Sequence, residues 1–290
     1  MKPTKTLALI LAFALSVCLF SSCADNSPPQ VTSPDVIVTP NPATPEIADT
    51  VESITIKGVE YSTSLTELSI INRELTSADI EELKYMKNLK SLILSLNEIS
   101  DISVLAGLTN LKILLLGENQ ISDISALGGL TNLTYLVLLD NQISDINALS
   151  GLTNLTELYL GNNQISDISA LSGLVNLNVL WARNNQISDI SVLSDVTNLV
   201  ALDLGNNSIN GISVLGGLTR LNHLILNDTQ ISDISRLSEL KYLITLDLSH
   251  NYIGDIRVLS ALNILEKVDL RGNPITDFSP VGHVESIIVD

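Results

Sequence analysis

LTELYLGNNQISDISALSGLVNL, Leu155 to Leu177, is one full period of a pattern that occupies most of the chain. Reduced to its fixed places it reads LxxLxLxxNxIxDIxxLxxL, carried here by Leu155, Leu158, Leu160, Asn163, Ile165, Asp167, Ile168, Leu171 and Leu174. The first leucine recurs every 22 residues, as Leu89, Leu111, Leu133, Leu155, Leu177, Leu199, Leu221, Leu243 and Leu265. A unit this short cannot bury its own apolar face, so the core must come from stacking one unit on the next. Nor can it make a long helix and return in step. Each unit therefore reads as a short strand, a turn at the asparagine, and a brief helical or 3₁₀ return.

These features predict an α/β solenoid, a leucine-rich-repeat right-handed superhelix with a parallel sheet on its concave face and short helical or 3₁₀ turns on its convex face. The repeats run over residues 65–273. A capping hairpin is expected over 51–64, where ESITIKGVEYS alternates on either side of Lys57-Gly58, and a C-terminal cap over 274–290, with a last strand near Ser286 to Val289. The first unit is irregular, with Arg73 at the asparagine place. Elsewhere Asn97, Asn119, Asn141, Asn163, Asn185, Asn207, Asn251 and Asn273 should point inward and satisfy backbone groups that water cannot reach, with Thr229 interrupting the series.

The strings NQISDISALSGLVNL (Asn163 to Leu177) and NQISDINALSGLTNL (Asn141 to Leu155) resemble the 22-residue repeats of internalins, bacterial surface proteins. The resemblance spans Leu89 to Asn273 and implies the same architecture and binding through the concave sheet. It transfers no individual contact, because the contacting residues differ between internalins.

Met1 to Ser22 has a basic start and an apolar run from Leu7 to Phe20, and reads as a secretory signal peptide. The string LFSSC resembles the lipobox of bacterial lipoproteins, which would make Cys23 a lipidated N-terminus. Cleavage after Ala24 is the alternative, since Ser22-Cys23-Ala24 also satisfies the small-x-small rule. Residues 23–50, with six of the nine prolines, read as an extended tether with no fold of its own. Cys18 and Cys23 are the only cysteines, so no disulfide is expected in the exported body. No second membrane anchor is expected, and the location implied is extracytoplasmic, at a bacterial surface or envelope.

The formal charge of −17, from 15 basic and 32 acidic residues, argues against nucleic acid and against anionic lipid headgroups. Enzyme signatures are lacking: there is no GxSxG, HExxH or glycine-rich phosphate loop, and the three histidines (His223, His250, His283) fall on permissive places. No catalytic residue, cofactor or metal is assigned. The column Asp101, Asp123, Asp145, Asp167, Asp189, Asp233, Asp255 and Asp277 offers one carboxylate per unit, too few for calcium, and reads as capping of the helical turns. Asp203, His223, Asp247, His250 and Asp269 read as a solvated polar face, ahead of a weak divalent site.

Function is then sought at the third, fifth, seventh and eighth places of LxxLxLxxN, which face the concave side. Ile113, Leu115, Tyr135, Val137, Leu139, Tyr159, Val179, Trp181, Arg183 and Asp203 form a stripe there, apolar and aromatic with one acidic end. It contains the only Trp of the chain and is expected to be exposed, as a hot spot for a protein partner bound by a monomer. A carbohydrate or peptidoglycan ligand stacking on Tyr135, Tyr159 and Trp181 is the alternative. A third possibility is a structural envelope spacer.

Overall fold

The computed structural model describes residues 51–290. The expected signal peptide, Cys23 and the expected tether lie outside the described residues.

The chain begins with an antiparallel hairpin, β1 (Ser53–Ile56) and β2 (Val59–Ser62), turning at Lys57 and Gly58, which both have positive φ. Ile54 and Ile56 face inward and close the first coil. Eleven further strands follow: β3 (Glu67–Ser69), β4 (Ser91–Ile93), β5 (Ile113–Leu115), β6 (Tyr135–Val137), β7 (Glu157–Tyr159), β8 (Val179–Trp181), β9 (Ala201–Asp203), β10 (His223–Ile225), β11 (Thr245–Asp247), β12 (Lys267–Asp269) and β13 (Ser286–Ile288). They form one parallel sheet in strict sequence order, each strand in register with the next. Between strands the chain returns through short 3₁₀ turns, such as Ser103–Gly107 and Ser169–Leu171. This is the leucine-rich-repeat solenoid that the 22-residue period requires.

The core is a lattice. Leucines at the first, fourth and sixth places are sealed from solvent, as are the isoleucines beyond the asparagine and the leucine of each 3₁₀ turn. Each such side chain contributes about 1.5–3 kcal/mol of burial, and no unit collects enough of it without its neighbours.

Polar rows hold the coils in step. Asn163 shows the repeating arrangement: its Oδ1 accepts from the Ile143 amide of the preceding coil (3.0 Å), while its Nδ2 donates to Leu138 O and Leu160 O (3.0 Å each). At the break, Thr229 does part of this. Its hydroxyl donates to Leu226 O (2.7 Å) and its amide to Asn251 Oδ1 (3.1 Å), but it has no second donor to reach the coil before. Gly211 takes the place of a capping aspartate in that same coil, and a shallow cavity of about 300 Å³ opens between Ile209–Ser213 and Gln230–Arg236. A second row, which the sequence reading missed, runs along the other flank. Asn110, Asn132, Asn154, Asn176 and Asn198 each donate to a carbonyl one coil back at 2.8–3.0 Å.

On the turn face the aspartates act as expected. Asp101, Asp123, Asp167, Asp189 and Asp233 each accept the amide of the serine two residues on at 2.7–2.8 Å, which holds their carboxyls below the usual range.

The eighth place has a backbone demand that periodicity does not reveal. Leu96, Glu118, Asp140, Asn162, Asn184, Asn206, Asp228, His250 and Gly272 all have φ between 53° and 66°. Most are Asn, Asp or Gly, which tolerate the left-handed region. Leu96, at φ 62°, does not. Leu96→Asn should therefore raise unfolding stability by about 0.5–1 kcal/mol. Chemical denaturation checks this; a lower midpoint would mean that the partly buried leucine packs better than its backbone is strained.

Candidate binding face

The face of the sheet turned away from the leucine lattice carries the third and fifth places of each repeat, flanked by the seventh and eighth. The strands fix where these residues stand, and side-chain length fixes what remains visible. Adjacent strands lie only ~4.8 Å apart, less than the reach of a tyrosine or an arginine, so long residues cover one another across the sheet.

The expected exposed stripe is accordingly corrected. Val137, Leu139, Tyr159, Val179 and Asp203 are buried, at 2–6% exposure, and only Ile113, at 39%, is fully open among the apolar members. Leu115, Tyr135 and Trp181 are half-buried, and Arg183 is exposed. The seventh place explains part of this packing, because it alternates small and large residues. A Cβ on Gly117 would stand 3.1 Å from Leu139 Cγ, and one on Gly161 would stand 3.4 Å from Arg183 Cγ. Leu139 and Arg183 thus lean onto the preceding coil, over the bare backbone of a glycine.

The aromatic residues do meet. Val137 pairs with Tyr159 and Tyr159 with Trp181 in register, while Tyr135 sits diagonally behind Tyr159. Tyr135 and Tyr159 have ring centroids 5.4 Å apart at 38°, and Tyr159 and Trp181 are also 5.4 Å apart, edge to face at 68°. Tyr159 is the buried floor of this ladder, with Tyr135 and Trp181 as its partly open sides. The Tyr159 hydroxyl donates to Glu157 Oε2 (2.7 Å). Burial pushes the Tyr159 hydroxyl far up, with Tyr135 and Glu157 adding to the effect, and burial also raises the Glu157 carboxyl against the opposing hydrogen bond from Tyr159.

Beyond Trp181 the face turns acidic. Burial pushes Asp203 up to about 6, with Arg183 and the Gly205 amide opposing and Asp247 reinforcing the shift. Among the described residues its one paired cation is distant: Arg183 Nη1 stands 3.8 Å from Asp203 Oδ2. Asp269 occupies the equivalent place three coils on and behaves differently. Burial raises it too, but Arg271 forks onto both carboxylate oxygens and holds it below the ordinary value. The difference traces to the residue two places on, Arg271 in one coil and Gly205 in the other.

Asp203, His223, Asp247, His250 and Asp269 do not converge; among the described residues no group of three metal-ligating side chains is close enough to hold an ion. His223 instead pairs Nδ1 with Thr245 Oγ1 (2.6 Å), and burial lowers its pKa. The eighth place contributes a row that the sequence reading did not single out. Asn206 donates to Asn184 Oδ1 (2.8 Å) and Asn184 to Asn162 Oδ1 (2.5 Å). Its signal was the run Asp140, Asn162, Asn184 and Asn206, each just before an inward asparagine.

Comparison with known proteins agrees with this architecture. A two-copy leucine-rich-repeat family model matches residues 109–151 and 153–195, and two further leucine-rich-repeat models match 63–121 and 239–256. Among solved structures, an internalin (inlF) from Listeria monocytogenes is 29% identical with a TM-score of 0.65, covering 79% of this chain and 89% of its own. Internalin C2 of the same species is 28% identical with a TM-score of 0.50, covering 80% and 85%. A plant peptide hormone receptor, RGFR1, solved in complex with RGF2, is 26% identical with a TM-score of 0.67, covering 79% of this chain and 40% of that one. No curated protein matches the sequence.

Proposed function

We propose that this leucine-rich-repeat solenoid is an exported, membrane-tethered binding protein that recognises a protein partner through its sheet face. The observation that carries the reading is the partly open set Ile113, Leu115, Tyr135, Trp181 and Arg183 above a packed layer of Val137, Leu139, Tyr159 and Val179. Aromatic and arginine side chains held rigidly on a strand lose little entropy when a partner covers them, which is the composition and setting of an interface hot spot. The likeness to internalins and to a receptor solved with a peptide hormone supports a protein ligand.

The same geometry weighs against a sugar platform on Tyr135, Tyr159 and Trp181. Stacking needs an exposed ring face, and here the middle ring is buried while its neighbours tilt by 38° and 68°.

Cross-linking capture from intact cells, followed by affinity measurement on the captured partner, tests this reading. Trp181→Ala should cost ~2 kcal/mol or more in affinity, roughly thirty-fold. It should also lower the melting temperature, because Trp181 is packed edge to face on Tyr159. Undiminished affinity would remove the sheet face from the interface.

Tethering rests on LFSSC. Cys23 is proposed to carry the lipid, with residues 23–50 as the spacer to a cap at 51–64, repeats at 65–273 and a closing segment at 274–290. Cys23→Ala should then move the protein from the membrane fraction to the soluble fraction. An unmodified N-terminus at Asp25 in the wild type, read by mass spectrometry, would show ordinary signal cleavage instead.

A further inference from the structure

Glu157 stands at the centre of the aromatic ladder. On β7 it pairs with Tyr135 of β6 on one side and Val179 of β8 on the other, two residues from the buried Tyr159, whose hydroxyl it accepts at 2.7 Å. Its carboxylate is half-buried, and among the described residues the ion pairs involve Asp79, Asp203, Asp255 and Asp269 but not Glu157. Arg183, on the next coil, is directed at Asp203.

A carboxylate in that position bears a desolvation cost with one hydrogen bond to offset it. An apolar anchor from a partner would finish dehydrating it and make the cost larger. A cationic group would do the reverse, because a guanidinium or ammonium seated over Glu157 would pair with the carboxylate and lie against the partly open rings of Tyr135 and Trp181. The overall charge of −17 draws the same class of partner.

We infer that Glu157, framed by Tyr135, Tyr159 and Trp181, is a receptacle for a single arginine or lysine side chain of the protein partner. The inference rests on the sheet face being the protein-binding surface, and it adds the chemistry of the group that enters there. The raised carboxyl of Glu157 agrees with it, since an ion pair formed on binding would offset the desolvation that raises it.

Trp181 is the only tryptophan of the chain, so its fluorescence reports on this site alone. The probes are blocked tripeptides of the form acetyl-Gly-X-Gly-amide, with X as Arg, Lys, Leu or Glu, titrated into the full chain. The Arg and Lys peptides should perturb Trp181 saturably, and the Leu and Glu peptides should be at least ~10-fold weaker. Glu157→Gln keeps an acceptor for Tyr159 but removes the charge, and should weaken the Arg peptide by at least ~10-fold without lowering the melting temperature. Equal response to Leu and Arg, no response to any peptide, or an unaltered Arg response in Glu157→Gln would each overturn the receptacle. The cross-linking experiment stands apart: a partner captured through Trp181 whose contact segment lacks basic residues overturns the receptacle while leaving the protein-binding reading intact.

Discussion

Asn251→Ala should lower the unfolding free energy by about 3–5 kcal/mol, among the largest single losses available outside the leucine lattice. Asn251 Oδ1 accepts from the amides of Thr229 and Ile231 (3.1 Å each). Its Nδ2 donates to Leu226 O (2.8 Å) and Leu248 O (3.0 Å). The residue is 3% exposed, so water cannot replace these bonds once they are lost. Each buried backbone group left unpaired costs about 1–3 kcal/mol, less than additively because the coils can relax. The loss should exceed that for Asn163→Ala, because Asn251 also carries the Thr229 break. Urea denaturation of the two variants checks both the size and the order; a cost near 1 kcal/mol for Asn251→Ala would show that the coils close over the gap.

Asp203→Asn should act in the opposite direction and raise stability at pH 7.5 by up to about 3 kcal/mol, the equivalent of moving one carboxyl from its ordinary value to about 6. Because the folded-state pKa is raised, the folded protein binds the proton more tightly than the unfolded chain does. The associated stability is present below the unfolded value of about 4 and is lost as pH rises through about 6. The variant's advantage should therefore shrink as pH falls from 7 to 4 and vanish at the bottom of that window. Comparing variant with wild type at each pH cancels the turn-face aspartates, whose lowered pKa values make them lose stability only at lower pH. The asparagine keeps an oxygen for the Gly205 amide, which Asp203 Oδ1 accepts at 2.9 Å. A variant no more stable than wild type at pH 7.5 would mean that Arg183, at 3.8 Å, compensates the carboxylate after all.

Some of the site was legible in the residues and some was not. Tyr135, Tyr159 and Trp181 could be placed on one face from alternation alone, and the structure brings them together. Their exposure could not, because alternation tells which side of a strand a residue takes but not how far its neighbour one coil away reaches over it. Gly117 and Gly161 were the available clue, since a glycine beside Leu139 or Arg183 leaves room for the longer side chain to lie down. The flank row from Asn110 to Asn198 was passed over for a related reason: within TNL, or VNL at Asn176, the asparagine looks like surface filler until the carbonyl it reaches, one coil back, is known.

The repeat period by itself determined the parallel sheet, the strand order, the leucine core and the inward asparagines, because a 22-residue unit that must bury a leucine face has one regular way to stack. The burial of Tyr159 and Asp203, the raised carboxyls of Glu157 and Asp203, and the left-handed backbone under Leu96 were decided only by the tertiary structure. The first two depend on distances between coils, since a side chain's solvation is set by what the next coil places over it, and the last on the path of the turn, which periodicity does not specify.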